Sequence, residues 1–417
     1  MQLANSTVLF IGYNWPEPKT TAAGNRIMQL LQFFLDHKCQ ITFASTAKKD
    51  IHSTNLTDLG IQMSEIELNN SNFDEFIKKL CPNVVVFDRF LTEEQFGWRV
   101  TEHTPEALKI LDTEDLHSLR KTREIALKKG EEFTLANWYL NDLTKREVAS
   151  IYRCDLSLII SSYEFDLLKG ILKTSSNLLM HLPFMLPEIS KRDINSWPSF
   201  NDRKDFICIG TGKHLPNVDA IVWLKSKIWP KIRKALPNSQ VHIYGAYFPQ
   251  QLLEMHHPKQ GFLIKGWIDD AGLEMCTKKV NIAPLRYGAG IKGKLMLAMQ
   301  NGTPNVTTSI GSEGMHDNLP WNGFVTDSAD DFAQKCIEIF TNEKLWNHAQ
   351  RAGSTIINEF YEENRLKKDL AQKLNFLLSN LTEHRGNNFT GSLLHHQSMQ
   401  ATKFMAKWIE EKTQNRK

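Results

Sequence analysis

The chain has 417 residues, of which 41% are hydrophobic and 23% charged, and its 50 basic and 47 acidic residues leave a formal charge of +3. These values are ordinary for a soluble globular protein and carry no nucleic-acid-binding signature. The length exceeds what one ordinary core supports, so we expect two domains of roughly 150 to 200 residues each.

The cysteines and the apolar segments indicate the compartment. The six cysteines lie far apart without a C-x-x-C pair, which is typical of reduced thiols in a cytosolic protein and indicates neither a disulfide framework nor a metal site. The N-terminus has no basic segment followed by an apolar stretch, and no apolar run reaches about 18 residues. We therefore expect a cytoplasmic protein without a transmembrane segment.

The first half of the chain alternates strands with helices. Apolar runs predict strands at 7–13, 41–45, 84–88, 109–112 and 156–161, with helices at 27–35 and 73–80 between them. A further helix opens at Ser162, where Glu164 gives a start that resembles a capping box. This alternation predicts a mostly parallel sheet.

Polar residues follow the strand that ends at Asp112. Because ligands of open α/β sheets bind at the carboxyl ends of the strands, the segment from Thr113 to Arg120 is a candidate site. The imidazole of His117 is suited to hydrogen-bond a substrate hydroxyl or a developing charge, with Asp115 setting its tautomer. Alternatively, Asp112 or Thr113 caps a helix and His117 merely lies on its first turn.

The second half repeats the alternation after a linker at 187–204, which mixes Pro, Ser, Asn and charged residues without periodicity. Strands are predicted at 206–210, 240–245, 262–268, 280–285, 305–308 and 323–326, and helices at 218–236 and 270–278. Helical segments continue to about residue 378, and an amphipathic tail occupies 389–412.

The stretch from Val280 to Met315 carries the most chemistry. An apolar strand leads through Gly288-Ala289-Gly290 into a helix, whose first amides lack intrahelical partners and carry the positive end of the helix dipole. We therefore predict an anion site at residues 289–292, with added positive charge from Arg286, Lys292 and Lys294. Leu297 shares a helix face with Lys294, where a polar residue was expected.

Two other interpretations of this stretch remain open. Gly288, Gly293 and Lys294 match G-x4-G-K of a Walker A loop, but Leu295 stands where a P-loop needs Ser or Thr to hold magnesium. Alternatively, the glycines only make a tight turn and the lysines are solvated.

PLRYGAGIKGK, followed by a Gly-x-Pro and TTSIGSEGM, resembles the donor-binding segment of the family 4 (group 1) retaining glycosyltransferases. DTEDLHSLR at 112–120 and GTGKHLPN at 210–217 resemble further segments of that family. The resemblance implies the GT-B fold, an α/β architecture of two facing Rossmann-like domains with mostly parallel sheets. It divides the chain into an N-terminal acceptor-side domain (1–190), a C-terminal nucleotide-sugar-binding domain (205–378) and a helical tail (379–417) that returns towards the first domain.

The resemblance also assigns roles to residues. The implied catalytic residues are His117, Lys292 and Lys294. The implied donor-binding residues are Lys213, Arg286, Gly288, Ala289, Gly290, Ile291, Glu313 and Gly314, and the acceptor-side residues are Gly24, Arg26, Asp112 and Asp115.

The implied reaction moves a sugar, with retention, from a nucleotide diphosphate donor to an unknown acceptor such as a glycan, a lipid-linked sugar or a protein. No metal or other cofactor and no nucleic acid is expected, and the chain has no Asp-x-Asp motif. The location is cytoplasmic, either free or peripheral to a membrane. The family usually has a Glu that holds the ribose where this chain has Leu297, and Ala289 takes the place of the first Glu of that pair. The alternative is therefore a non-catalytic GT-B binding or scaffold protein that has lost normal donor binding.

Overall fold

The computed structural model describes residues 3–414, apart from the side chains of 397–400 and 414. Residues 1–2, at the start of the predicted N-terminal domain, and residues 415–417, at the end of the predicted helical tail, lie outside the described residues.

The first domain is built on a parallel sheet of seven strands. These are β1 Thr7–Gly12, β2 Gln40–Ser45, β3 Gln62–Glu65, β4 Val84–Asp88, β5 Leu108–Asp112, β6 Leu156–Ile159 and β7 Leu179–His181. Their order in the sheet is β3-β2-β1-β4-β5-β6-β7. All five residues of the central strand β4 are buried, because helices cover both faces of a parallel sheet.

The second domain contains a parallel sheet of six strands. These are β8 Lys204–Ile209, β9 Val241–Tyr244, β10 Phe262–Gly266, β11 Lys278–Ala283, β12 Asn305–Thr307 and β13 Gly323–Val325. Their order is β10-β9-β8-β11-β12-β13. The predicted architecture of two Rossmann-like domains is confirmed, although β3 and β7 were not predicted.

The helices of the first domain and linker connect these strands. They are α1 Ala22–Asp36, α2 Asn72–Leu80, α3 Arg89–His103, α4 His117–Lys129, α5 Leu135–Tyr139, α6 Asp142–Arg153, α7 Ser162–Asp166 and α8 Lys191–Ser196. A π-helical turn at Leu167–Ile171 follows α7, and short 3-10 turns lie at Leu56–Leu59 and Ser176–Leu178. The linker predicted at 187–204 thus contains a short helix, α8, which begins with a capping box of Ser190 and Asp193.

The remaining helices belong to the second half of the chain. They are α9 Leu215–Trp223, α10 Trp229–Ala235, α11 Gln250–Leu253, α12 Ala271–Thr277, α13 Gly293–Gln300, α14 Ser309–Ser312, α15 Ala329–Thr341, α16 Glu343–Phe360, α17 Glu363–Ser379, α18 Leu381–Gly386 and α19 Phe389–Gln414. A π-helical turn at Leu224–Ile228 joins α9 to α10, and a 3-10 turn lies at Pro258–Gln260.

The chain returns to the first domain through α17. This helix lies in the range predicted for the second domain, but its leucines pack in the first core together with Val8, Leu30 and Leu182. The tail helix α19 then packs along α3 and α6 of the first domain, where Ala406 contacts Trp98.

A separate apolar cluster joins the two domains. Ile160 and Phe184 of the first domain pack in it with Ile291, Leu295 and Met315 of the second. Burial of apolar surface from both sides stabilises the facing arrangement of the two sheets.

Candidate functional site

The carboxyl ends of the two sheets meet in a cleft. Strand order reverses between β1 and β4 in the first sheet and between β8 and β11 in the second, and such switch points open a crevice at the strand ends. The loop after β11 reaches across to the first domain, where the amide of Gly290 donates to Glu164 Oε1 at 2.7 Å.

Gly290 allows this close approach. Its φ is +65°, and a Cβ built on it would lie 2.8 Å from the Cβ of Asp115 in the first domain. Because a side chain would clash there and would strain the backbone, only glycine fits without a shift. The glycine turn predicted from the sequence therefore leads towards α13 and also forms a contact with the first domain.

Two lysines lie at the start of α13. Lys292 precedes the helix and its Nζ donates to the carbonyl of Gly290 at 2.7 Å, whereas Lys294 Nζ donates to Asn217 Oδ1 at 2.6 Å. Burial lowers the pKa of Lys292 to about 8 and also lowers that of Lys294. Desolvated ammonium groups beside the positive end of a helix dipole form a site for an anion.

The other two basic candidates for the donor site have protein partners. Lys213 Nζ lies 3.4 Å from Asp50 Oδ2 of the first domain and 3.4 Å from the ring centre of Tyr247. Arg286 forms a bidentate pair with Asp219, and its guanidinium lies over the ring of Trp223. Their positive charges are therefore paired with carboxylates of the protein.

His117 and Asp115 meet on the first-domain side of the cleft. Their Nε2 and Oδ1 atoms are 3.4 Å apart, and Arg120 lies 3.0 Å from the other oxygen of Asp115 and 3.1 Å from His214. Burial lowers the pKa of His117 to about 4, which outweighs the opposite effect of Asp115. The imidazole is consequently neutral near pH 7. Although burial alone would raise the pKa of Asp115, Arg120 and His117 hold it below its ordinary value.

An ion pair closes the cleft beside the glycine loop. Arg123 on α4 donates to both oxygens of Glu313 at 2.7 and 2.8 Å and to the carbonyl of Gly288 at 2.9 Å. Glu313 and Gly288, both predicted to bind the donor, therefore contact the first domain here.

Glu164 is a site residue that sequence reasoning missed. Its Oε1 accepts from the amides of Leu116 and Gly290, and its buried Oε2 has no hydrogen-bond partner within residues 3–414. Burial, together with the charge of Asp115, raises the pKa of Glu164 to about 7. Ser161 makes no side-chain cap at the start of α7, so the predicted capping box is absent there. Glu164 instead bridges the two domains through the amide of Gly290. The only sequence signal was the S-x-x-E pattern, which normally indicates a local cap.

Three predicted acceptor-side residues are buried within the first domain. Arg26 and Asp112 form an ion pair whose side chains are both 0% exposed, and Arg26 also donates to the carbonyl of Pro183 at 2.7 Å. A Cβ on Gly24 would lie 2.4 Å from the backbone of Glu17, so this glycine lets α1 pack closely. The side chains of Arg26 and Asp112 therefore present no surface to an acceptor, whereas Asp115 lies in the cleft.

The remaining predicted donor residues pack between the domains. Ala289 contacts the apolar core of the first domain, and Ile291 lies in the cluster that joins the domains. The carbonyl of Gly314 accepts from the hydroxyl of Ser162 at 3.3 Å.

Between residues 3 and 414, no three His, Cys, Asp or Glu side chains are grouped as ligands of a metal ion. Within the same range no helix combines the length and the apolar character needed to cross a membrane.

Comparisons with known proteins agree with this geometry. Residues 203–342 match the family model described as "Glycosyl transferases group 1". No curated protein matches the sequence. Among solved structures, a TarM mutant from S. aureus in complex with fondaparinux, α-GlcNAc-glycerol and UDP is similar at a TM-score of 0.67 and 10% identity, covering 89% of this chain and 100% of that one.

Two further structures have the same fold. HepE from Anabaena in complex with UDP and glucose has a TM-score of 0.63 and 12% identity, over 88% of this chain and 99% of that one. Sucrose-phosphate synthase from Thermosynechococcus elongatus has a TM-score of 0.64 and 12% identity, over 90% of this chain and 99% of that one.

Proposed function

We propose that this chain, whose residues 203–342 match the group 1 glycosyltransferase model and whose fold is GT-B, transfers a sugar from a nucleoside diphosphate sugar to a hydroxyl group of an acceptor. The observation that carries this proposal is the pair of lysines at the start of α13 in the cleft, buried Lys292 and half-buried Lys294. The family match does not favour the alternative of a non-catalytic scaffold.

The lysines act on the leaving group. As the bond between the sugar's anomeric carbon and the diphosphate breaks, negative charge grows on the diphosphate oxygens, and groups already oriented towards that charge lower the barrier. Lys292, Lys294 and the first amides of α13 supply this charge stabilisation. We propose no metal for this step. The UDP bound in the TarM and HepE structures supports a nucleoside diphosphate as the ligand.

The first domain acts on the sugar. We place the neutral imidazole of His117, oriented by Asp115, beside the transferred sugar, where it hydrogen-bonds a hydroxyl. The acceptor oxygen bonds to the anomeric carbon on the face that the diphosphate leaves, which gives retention, and the acceptor proton passes to the departing diphosphate. We propose Lys213, Arg286 and the loop from Gly288 to Ile291 as outer parts of the donor site that rearrange when the donor enters.

The acceptor is proposed to be a glycan, a lipid-linked sugar or a protein, and not a nucleic acid. We place the enzyme in the cytoplasm, peripheral to a membrane. Exposed apolar side chains along α19, namely Phe389, Leu393, Phe404, Met405 and Trp408, support that position. Flotation with anionic phospholipid vesicles tests it, and a protein that stays at the bottom of the gradient contradicts it.

Binding measurements on lysine variants test the donor site. Lys292→Ala and Lys294→Ala should each weaken binding of a nucleoside diphosphate by about tenfold or more while leaving nucleoside binding unchanged, because the ammonium groups meet only the phosphates. Isothermal titration calorimetry measures the dissociation constants of UDP and uridine, and likewise of ADP, GDP and CDP with their nucleosides. Lys234→Ala, on the exposed side of α10, is the matched control. Equal and small losses for nucleotide and nucleoside would argue against the proposed site.

A further inference from the structure

The surface beside the two lysines is apolar. Ile209 ends β8, Ile268 follows β10 and Leu297 lies on α13, and all three are partly exposed above buried Tyr244 and Met275. We call Ile209, Ile268 and Leu297 the apolar shelf.

The apolar shelf adjoins the anion site along two elements. Lys294 and Leu297 are three residues apart on α13 and therefore share a face. Ile209 precedes Gly210, and a Cβ on Gly210 would lie 2.9 Å from Lys294 Nζ. On the other side of the anion site, Gly290 lies against Asp115 of the first domain, next to His117. A diphosphate bound at the start of α13 with its sugar towards the first domain would therefore have its nucleoside at the apolar shelf.

The polar groups nearest the apolar shelf bond to one another. The hydroxyl of Tyr244 donates to Glu274 at 2.7 Å. The side-chain amide of Asn301 donates to the carbonyl of Leu297 at 2.8 Å, and its oxygen accepts from the thiol of Cys276. A ribose hydroxyl that reaches the apolar shelf thus meets the methyl groups of Ile209, Ile268 and Leu297.

We infer that Leu297 makes the donor site indifferent to the 2′-hydroxyl of the nucleotide, so that 2′-deoxyribonucleoside diphosphate sugars serve as donors alongside ribonucleoside diphosphate sugars. This inference rests on the proposed function. A site that hydrogen-bonds a hydroxyl rejects analogues without it by large factors, whereas an apolar surface discriminates weakly and gains nothing from the hydroxyl.

Matched nucleotide pairs test the inference on the full chain. UDP, ADP, GDP and CDP are each titrated by calorimetry beside their 2′-deoxy forms. For the base that binds best, the dissociation constants of the ribo and deoxy forms should agree within about fivefold. A ribo form bound more than fivefold tighter overturns the inference while the proposed function stands. If none of the eight nucleotides binds, the proposed function fails and the inference fails with it.

Substitution of Leu297 tests the assigned position. Leu297→Glu should create a preference for the ribo form of about tenfold, because a carboxylate accepts hydrogen bonds from the ribose hydroxyls. Leu297→Met, which keeps the shelf apolar at similar volume, should leave the two forms equal. A folded Leu297→Glu protein with no change in the ribo-to-deoxy ratio places the ribose elsewhere and overturns the inference. If the introduced carboxylate prevents folding, the titrations of the unmodified chain still decide.

Discussion

His117 lies on the first turn of α4 with its ring held between Asp115 and Phe90. A histidine in water is half protonated near pH 6.5, but burial lowers the pKa of this one to about 4. The neutral ring can therefore both donate and accept a hydrogen bond near pH 7, which suits a group that holds a sugar hydroxyl.

We predict that His117→Ala lowers kcat by about tenfold or more with little change in donor Kd, because the contact is made at the reacting sugar. Donor hydrolysis and calorimetry measure the two quantities. His117→Gln keeps one donor and one acceptor and should recover part of the loss. A lower melting temperature with nearly full activity would instead show that the ring is needed for packing against Phe90.

Glu147 determines part of the pH dependence of stability. Its two oxygens accept from the amides of His117 and Ser118 at 2.7 and 2.8 Å, and burial raises its pKa from 4.5 to about 8. The folded state consequently binds a proton more tightly than the unfolded state between these two values. Its contribution is fully present below pH 4.5 and is lost as the pH rises towards 8.

Glu147→Gln should flatten this slope. Urea unfolding at intervals between pH 5 and 8 should show a free energy of unfolding that falls with pH more steeply in the unmodified protein than in the variant. The variant also suffers a constant loss, since its amide NH2 faces a backbone donor. Parallel curves for the two proteins would show that Glu147 does not titrate in this range.

At the scale of elements, α17 crosses from one domain to the other. Leu366, Leu370, Leu374 and Leu377 recur at helical spacing and form one buried stripe in the first core. The opposite side of the helix is exposed, with Phe376 at 59% exposure. The helix therefore belongs to the core of the first domain although β8 to β13 separate it from that domain in sequence.

Leu374→Ala should lower the free energy of unfolding by about 2 to 5 kcal/mol, since it leaves a cavity in the first core. Phe376→Ala, two residues away on the exposed side, should change it by less than about 0.5 kcal/mol. Differential scanning calorimetry should place the loss in the transition of the first domain. A loss confined to the second domain, or equal losses for the two variants, would contradict this position of α17.

At the scale of the whole molecule, polar and apolar contacts hold the cleft closed. The apolar cluster of Ile160 and Ile291 lies beneath it, and Arg123 to Glu313 and Glu164 to Gly290 cross it. These polar contacts engage the loop that carries the anion site. Donor binding and domain closure are consequently coupled through this loop.

Arg123→Ala should cost about 3 kcal/mol or more of stability, because the carboxylate of Glu313 then stays mostly buried without its bidentate partner. Small-angle scattering should show a larger radius of gyration, and donor affinity should fall with it. The matched control is Arg146→Ala, which breaks an exposed bidentate pair with Glu94 inside the first domain and should cost less than about 1 kcal/mol. Similar losses and an unchanged radius for both variants would show that Arg123 does not hold the domains together.

Local pattern determined the architecture from sequence alone. The apolar run at 84–88 coincides with β4, because strand preferences act over a few residues. The glycine turn does precede α13, but the helix begins only at Gly293, so residues 289–292, whose amides were predicted to start it, lie before the helix. The edge strand β3, Gln62–Glu65, was missed since its residues are only partly buried or exposed and show no apolar run.

Tertiary structure alone decided the partners of the polar residues. Glu164 bonds to an amide 126 residues away, and Arg123 pairs with Glu313 across 190 residues. Arg26 was expected to face an acceptor, but it is buried against Asp112, 86 residues away. The spacing of residues along the chain encodes which face of an element is apolar, but not which distant charge will lie opposite it. That choice depends on tertiary packing, which brings together groups that are far apart in the sequence.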